Sequence, residues 1–301
     1  MNGLTPKMSG NAFPGPVRGL FLLLELSKFH LSIYITLSAM FGQVLAGGRF
    51  GLATLGLGLG VWILVSGAAL VNNVQDRIFD SHGGRTRTRA LVQKRIAVPP
   101  VLVGGWVFIL GGLVYLAIGF EGQGTWLLGG LGIFFYNGLY TPLKKRTVGA
   151  VFPGVVCGML PPAMGWMAVP LQYRLQDTWP LVLTMLALGL WQIPHFMVIH
   201  GRYPLPPGPY PCLSHCFSPV AFRGQVIIWT SLYSLSLFLF ILHQGVFSLV
   251  CASLLAVNAL VLPPLMAAFL LDPSRIPKGC QRAIHLSILV FMVMGMVDVW
   301  I

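Results

Sequence analysis

Acidic side chains are scarce in this sequence: seven Asp and Glu among 301 residues, against nineteen Lys and Arg. Charged residues of both signs make up 9% of the chain, where a soluble domain carries about 25%. With 56% hydrophobic residues and so little charge, the chain has no water-compatible surface to offer, which excludes a soluble globular fold. Cysteine is sparse as well. Cys157, Cys212, Cys216, Cys251 and Cys280 are scattered along the chain, and a small disulfide-stapled scaffold is excluded. The first twenty residues lack a cleavage site and an apolar core before Leu20, so no cleaved leader is expected. The apolar stretches also lack strand-like alternation, which excludes an outer-membrane barrel.

What is present in abundance is long apolar runs. Nine lie near 23–46, 52–76, 98–119, 124–142, 148–169, 179–200, 222–243, 246–271 and 283–301. Each approaches the ~20 residues that cross a bilayer as a helix. The expected fold class is an all-α membrane protein, a nine-helix bundle. The runs are too closely spaced for a separate soluble domain. A cytoplasmic tail, 1–22, and a single transmembrane domain, 23–301, are expected.

The basic residues sort by topology. Seventeen of nineteen precede or open the first run or fall in the loops after runs two, four, six and eight; Arg49 and Arg174 are the two exceptions. The positive-inside rule places the N-terminus and those loops in the cytoplasm, in bacteria at the inner membrane. The net charge of +12 thus has a membrane explanation, and no nucleic-acid partner is expected.

Two polar stripes break the apolar pattern. After "LATLGLGLGVWILVSGAALV" comes "NNVQDRIFD", which puts Asn72, Asp76 and Asp80 at i, i+4 and i+8, one face of a helix. Ionised carboxylates near hydrocarbon each cost ~2.5–3.5 kcal/mol, so something must offset them. A bare D-x₃-D at a wet helix end pairs with arginines more often than with a metal. Here "RTRTR" follows within five residues, and an oxygen-rich pair beside arginines also suits Mg²⁺ carrying a diphosphate. In "FFYNGLYTPLKKR", Tyr136, Tyr140 and Lys144 share a second face at the same end, and Pro142 is expected to end or kink that helix. Taken singly, tyrosines at an interface and a lysine in a cytoplasmic loop are ordinary.

These residues carry a resemblance. N-x₃-D-x₃-D and Y-x₃-K resemble the signatures of the UbiA-type intramembrane prenyltransferases, at Asn72, Asp76, Asp80, Tyr140 and Lys144. "RTRTRAL", "YTPLKKRT", "PPAMGW" and "WQIPHF" are similar to the heme-directed branch, the protoheme IX farnesyltransferases. The likeness covers nearly the whole chain and implies that the nine-helix bundle has a central cavity opening at the cytoplasmic side. It implies transfer of a farnesyl group from farnesyl diphosphate to a heme B vinyl group, with Mg²⁺ held by Asp76 and Asp80 and the cluster oriented by Asn72. It further implies substrate contacts from Arg85, Arg89, Tyr136, Asn73, His195 and Arg202, with Lys144 and Tyr140 at the reacting groups. His30, His195 and Trp191 are the candidates for touching a tetrapyrrole.

Three departures stand beside the likeness. Ile78 replaces a middle aspartate, and Arg89 is followed by Ala90 rather than proline. The loop after "PHF" holds no Asp or Glu between Asp177 and Asp272, where the family presents a second acidic motif, and Arg202 precedes Tyr203 there. Cys212, His215 and Cys216 with His200 match no standard closed zinc spacing. Another prenyl acceptor, a quinone-precursor ring or a different tetrapyrrole, and a non-catalytic heme-handling paralogue remain open alternatives.

Overall fold

A computed structural model describes residues 15–47, 49–120, 124–206, 208, 210–244, 248–271 and 276–298. Among them all regular structure is helical: α1 Gly15–Leu26, α2 Phe29–Leu45, α3 Leu52–His82, α4 Val98–Gly119, α5 Thr125–Ile133, α6 Thr141–Leu143, α7 Val151–Met167, α8 Trp179–Arg202, α9 Pro219–Gln244, α10 Leu249–Phe269 and α11 Lys278–Asp298. Residues 1–14 of the expected tail lie outside the described residues, and α1 already occupies the rest of it.

Seven helical stretches, α3, α4, Val148–Met167, α8, Pro219–His243, α10 and α11, are long and apolar enough to cross a membrane. The expected count of nine is not confirmed, because the runs near 23–46 and 124–142 form interrupted helices. In the first, Lys28 takes a left-handed conformation (φ 50°), separating α1 from the seventeen-residue α2. The second starts as α5, widens into a seven-residue π-helix at Phe134–Tyr140 and ends in α6. Pro142 supplies the physical reason. It has no N–H for the carbonyl four residues back, so the regular ladder cannot pass it. The Thr141 hydroxyl instead donates to the Tyr136 carbonyl at 2.7 Å.

Apolar side chains point both inward and outward. Leu57, Leu64, Ile109 and Leu116 form a core between α3 and α4, while Phe41, Tyr233, Phe240 and Phe291 centre a second one among α2, α8, α9, α10 and α11. On the outer face of α4, Val103, Val107, Leu110, Val114 and Ile118 are each more than half exposed. A helix apolar on both faces has lipid as its solvent. The protein is an integral, multi-pass membrane protein.

Small residues let the helices touch backbone to backbone, the usual way of packing helices where lipid removes the hydrophobic drive between them. Between α2 and α7 the approach is closest: a Cβ on Gly165 would stand 1.7 Å from the Ala39 carbonyl oxygen, and one on Gly42 would stand 2.0 Å from that of Pro162. Gly165→Ala should therefore destabilise the bundle by about 1–3 kcal/mol as an overpacked contact. Gly130→Ala, where nothing lies within 4 Å, should be neutral. Thermal melting of both variants in detergent checks this; equal midpoints would contradict the packing.

Candidate functional site

Helix α3 runs unbroken through "NNVQDRIFD". Asn72, Asp76 and Asp80 are all buried on its inner face, with Asn73 beside them. Ile78 is 65% exposed, so the position of the missing aspartate faces away from this cluster.

Each buried carboxylate meets a cation. Asp76 Oδ2 accepts from Lys144 Nζ at 2.5 Å, and Lys145 Nζ lies 3.6 Å from Asp76 Oδ1. Oδ1 is fully buried and receives no hydrogen bond. Asp80 Oδ2 accepts from Arg89 Nη1 at 2.5 Å. Lys28 Nζ, delivered by the α1–α2 break, donates to Asn72 Oδ1 and to Tyr136 Oη, the latter at 3.1 Å. The amide of Asn72 donates to Thr141 Oγ1 at 2.8 Å, tying α3 to the end of the π-helix.

The π-helix arranges the second stripe. Tyr136 and Tyr140 stack at 5.9 Å between ring centroids with 13° between planes, and Lys144 Nζ lies 5.1 Å from the Tyr140 ring. Asn137, on the opposite side, bonds to Gln75 and to the Ala68 carbonyl and anchors the segment to α3. Tyr140 meets Phe196 of α8 at 5.7 Å. One turn away, His195 stacks on Trp191 at 4.7 Å, and its Nδ1 lies 3.0 Å from Nε2 of His285, which also packs on Tyr34. His30 is exposed and meets the edge of Phe29.

The "RTRTRAL" loop is pinned over the cluster. The Glu25 carboxylate binds Arg95 at 3.0 Å and accepts from the Ala90 backbone N–H at 2.8 Å. Thr86 Oγ1 donates to the Asp80 carbonyl at 2.8 Å, and Ala90 and Leu91 are buried beside Leu26 and Leu70. Arg85 reaches across to Tyr203, its guanidinium 5.4 Å from that ring, while Arg202 holds the same tyrosine by a 3.0 Å hydrogen bond from Nε. Burial, then the neighbouring Arg89 charge, pulls Arg85 below the usual guanidinium range.

The structure thus brings Asn72, Asp76, Asp80, Arg89, Lys144, Tyr136 and Tyr140 into one cluster. Arg85 and Arg202 border it, and His195 sits on the adjoining aromatic wall. Asn73 faces elsewhere: its amide donates to the carbonyls of Leu26 at 2.7 Å and Ala69 at 2.8 Å, bracing the α1–α2 break. Sequence reasoning missed Lys28, Lys145, Thr141 and His285. Lys28 carried a usable signal, since a lysine inside an apolar run marks function by default. His285 carried none, because only folding brings it to His195.

The model of the UbiA prenyltransferase family matches residues 35–271. The chain belongs to the UbiA prenyltransferase family. It is 31% identical over 173 residues to the protoheme IX farnesyltransferase of Oleidesulfovibrio alaskensis, covering 57% of this chain and 60% of that protein. It is 29% identical over 245 residues to protoheme IX farnesyltransferase 1 of Pseudomonas putida, covering 79% and 80%. The chain spans 60% of the length of several of these curated relatives. Among solved structures it superimposes on a digeranylgeranylglyceryl phosphate synthase with a TM-score of 0.68 at 14% identity, covering 94% of this chain and 99% of that one. A UbiA homolog from Archaeoglobus fulgidus bound to GPP and Mg²⁺ gives 0.62 at 15%, covering 93% and 100%. These two likenesses establish the UbiA fold.

The loop after α8 leans on the cluster through Tyr210, whose ring packs on Phe79 at 5.0 Å and on His82 at 5.1 Å. In the same loop Cys212 is buried. Burial pushes its thiol up, but hydrogen bonds from His200, Ser214 and the backbone outweigh this and bring it down to about 6. Cys212 should be largely thiolate at pH 7, against ~8.5 for an ordinary thiol. Ultraviolet thiolate absorbance should show a titration near pH 6 that is lost in Cys212→Ser; a midpoint above 8 would contradict this hydrogen bonding.

Proposed function

We propose that this chain transfers a farnesyl group from farnesyl diphosphate to a vinyl group of heme B, at the basic end of the bundle. The observation that carries the reading is the charge imbalance of the buried cluster. Lys28, Arg89, Lys144 and Lys145 converge on Asn72 and two carboxylates, Asp76 and Asp80, with Arg85 at the border, leaving an excess of cations beside an apolar interior. Such a site is incomplete without a polyanion, and a prenyl diphosphate supplies both the anion and the lipophilic tail. The curated relatives named protoheme IX farnesyltransferase support the choice of donor and acceptor.

Mg²⁺ fits the residues present. Asp76 and Asp80 offer hard oxygen ligands, and the buried Asp76 Oδ1 receives no hydrogen bond. Asn72 Oδ1 accepts from Lys28, so Asn72 reaches a metal only by releasing that bond; as it stands, it positions Lys28 and Thr141. The bound ion supplies charge neutralisation on the departing diphosphate. The UbiA homolog bound to GPP and Mg²⁺ supports this assignment.

The chain's own groups do the rest. Lys144 and Arg89, released from the carboxylates when the cation excess meets phosphate, stabilise negative charge as the allylic C–O bond breaks. The stacked faces of Tyr136 and Tyr140 lie where an allylic cation gains from π density. The apolar packing around them keeps water from that cation. The vinyl carbon forms the new C–C bond, and water then adds with loss of a proton to give a hydroxyethylfarnesyl side chain. Trp191, His195 and His285, stacked and tilted on one another, offer an aromatic group to the acceptor. The excess of Lys and Arg at this end supports placing it in the cytoplasm, with the N-terminus, at a bacterial inner membrane.

Membranes carrying the chain, incubated with farnesyl diphosphate, Mg²⁺ and heme B, should yield a farnesylated heme detectable by mass. Asp76→Asn and Lys144→Ala should each lower the rate by about 10²–10³. Prenylation of an aromatic acid instead would move the acceptor away from heme. Heme binding without product, unchanged in Asp76→Asn, would contradict catalysis.

A further inference from the structure

Arg202 ends α8, and its side chain folds back on Tyr203. Nε donates to the phenolic oxygen at 3.0 Å, Nη1 donates to the Ile276 carbonyl at 3.0 Å, and the guanidinium lies 5.2 Å from the ring centroid. Arg85, from the loop after α3, stands 5.4 Å from the same centroid. One tyrosine therefore holds two guanidiniums from opposite halves of the bundle. Lys278, the first residue of α11, adds its charge to the same group. The hydrogen bond from Arg202 first, and the charges of Arg202, Arg85 and Lys278 after it, hold the Tyr203 phenol below its ordinary range.

Like charges do not gather without reason, and this group has little to balance it. Among the described residues, Arg85, Arg202 and Lys278 form no ion pair with any carboxylate. Among the described residues, the acid whose charge reaches Arg85 is Asp80, which is already bonded to Arg89. Glu25 is held by Arg95, and the sequence has no acid between Asp177 and Asp272. The described carboxylates at this end thus provide oxygen ligands for one divalent cation, at Asp76 and Asp80.

We infer that Arg85 and Arg202, assembled on Tyr203, form a second anion seat that holds the terminal phosphate of the diphosphate ester directly, so that the chain works with a single divalent cation. The inference rests on the proposed function and adds to it which groups take the outer phosphate. Guanidinium forks suit the task, because they offer several N–H donors in a plane and stay charged beside another cation.

The test uses the full-length protein in detergent with inorganic pyrophosphate as the probe. Affinity is measured calorimetrically with and without Mg²⁺, and bound Mn²⁺ is counted by electron paramagnetic resonance. Wild-type protein should bind pyrophosphate even without metal, and one Mn²⁺ per chain in its presence. Arg85→Gln and Arg202→Gln should each weaken metal-free binding about tenfold, the loss of a charged hydrogen-bond donor, and Arg202→Lys should recover part of it. If Arg202→Gln loses its fold with its bond to Ile276, the exposed Arg85→Gln decides alone. Two Mn²⁺ per chain, or unaltered affinity in Arg85→Gln, overturns the second seat. Should Asp76→Asn abolish the metal-dependent part while the arginine variants bind like wild type, the seat falls and the proposed function stands. No pyrophosphate binding by wild type under either condition overturns both.

Discussion

Two carboxylates sit inside a helix whose other side chains are mostly apolar, and every unusual feature near them serves to hold cations against them. Asp76 and Asp80 are buried, so water cannot solvate their charge. An unpaired ion in such a place costs several kcal/mol by the usual reckoning for buried charge. Lys144, Lys145 and Arg89 offset that cost from two separate segments, and Lys28 adds a further charge through Asn72 and Tyr136. The cations outnumber the carboxylates, so the cluster carries an excess of positive charge, which the proposed diphosphate would balance.

The departures from regular helix follow from this requirement. Lys28 reaches Asn72 because the chain breaks between α1 and α2, where Lys28 adopts a positive φ. Tyr136 and Tyr140 stack because the chain widens into a π-helix before Pro142, and the same segment ends with Lys144 turned toward Asp76. The loop from Arg85 to Arg95 is held by Glu25, which leaves Arg89 to face Asp80. All five described acids are engaged in contacts that can be named: Glu25 with Arg95, Asp76 with Lys144, Asp80 with Arg89, Asp177 with His243, and Asp298 with the Ser248 backbone N–H.

Much of the site was legible in the order of residues. The i, i+4, i+8 spacing of Asn72, Asp76 and Asp80 is a helical property, and α3 continues helically through all three. The arginines after Asp80 are close enough in sequence to fold back within one loop. The break at Lys28 was not legible, because apolar composition reports that a segment lies in lipid and not how its backbone winds; Pro142 marked an irregularity in its helix but not that it widens from Phe134. Long-range pairings were hidden for a different reason: His195 with His285, and Tyr203 with Arg85, join residues far apart in sequence through tertiary packing alone. Asn73 shows the converse. It stands next to Asn72 in the motif, yet the 100° step of a helix turns it toward Leu26 and a bracing role.

The account depends on the carboxylates exchanging their lysine and arginine partners for a metal-bound diphosphate. An experimental structure with a non-hydrolysable farnesyl diphosphate analogue and Mg²⁺ tests this most directly. The account predicts the ion on oxygens of Asp76 and Asp80, with Lys144 and Arg89 moved onto phosphate. Density for the analogue elsewhere, with the Lys144–Asp76 and Arg89–Asp80 pairs intact, would contradict it.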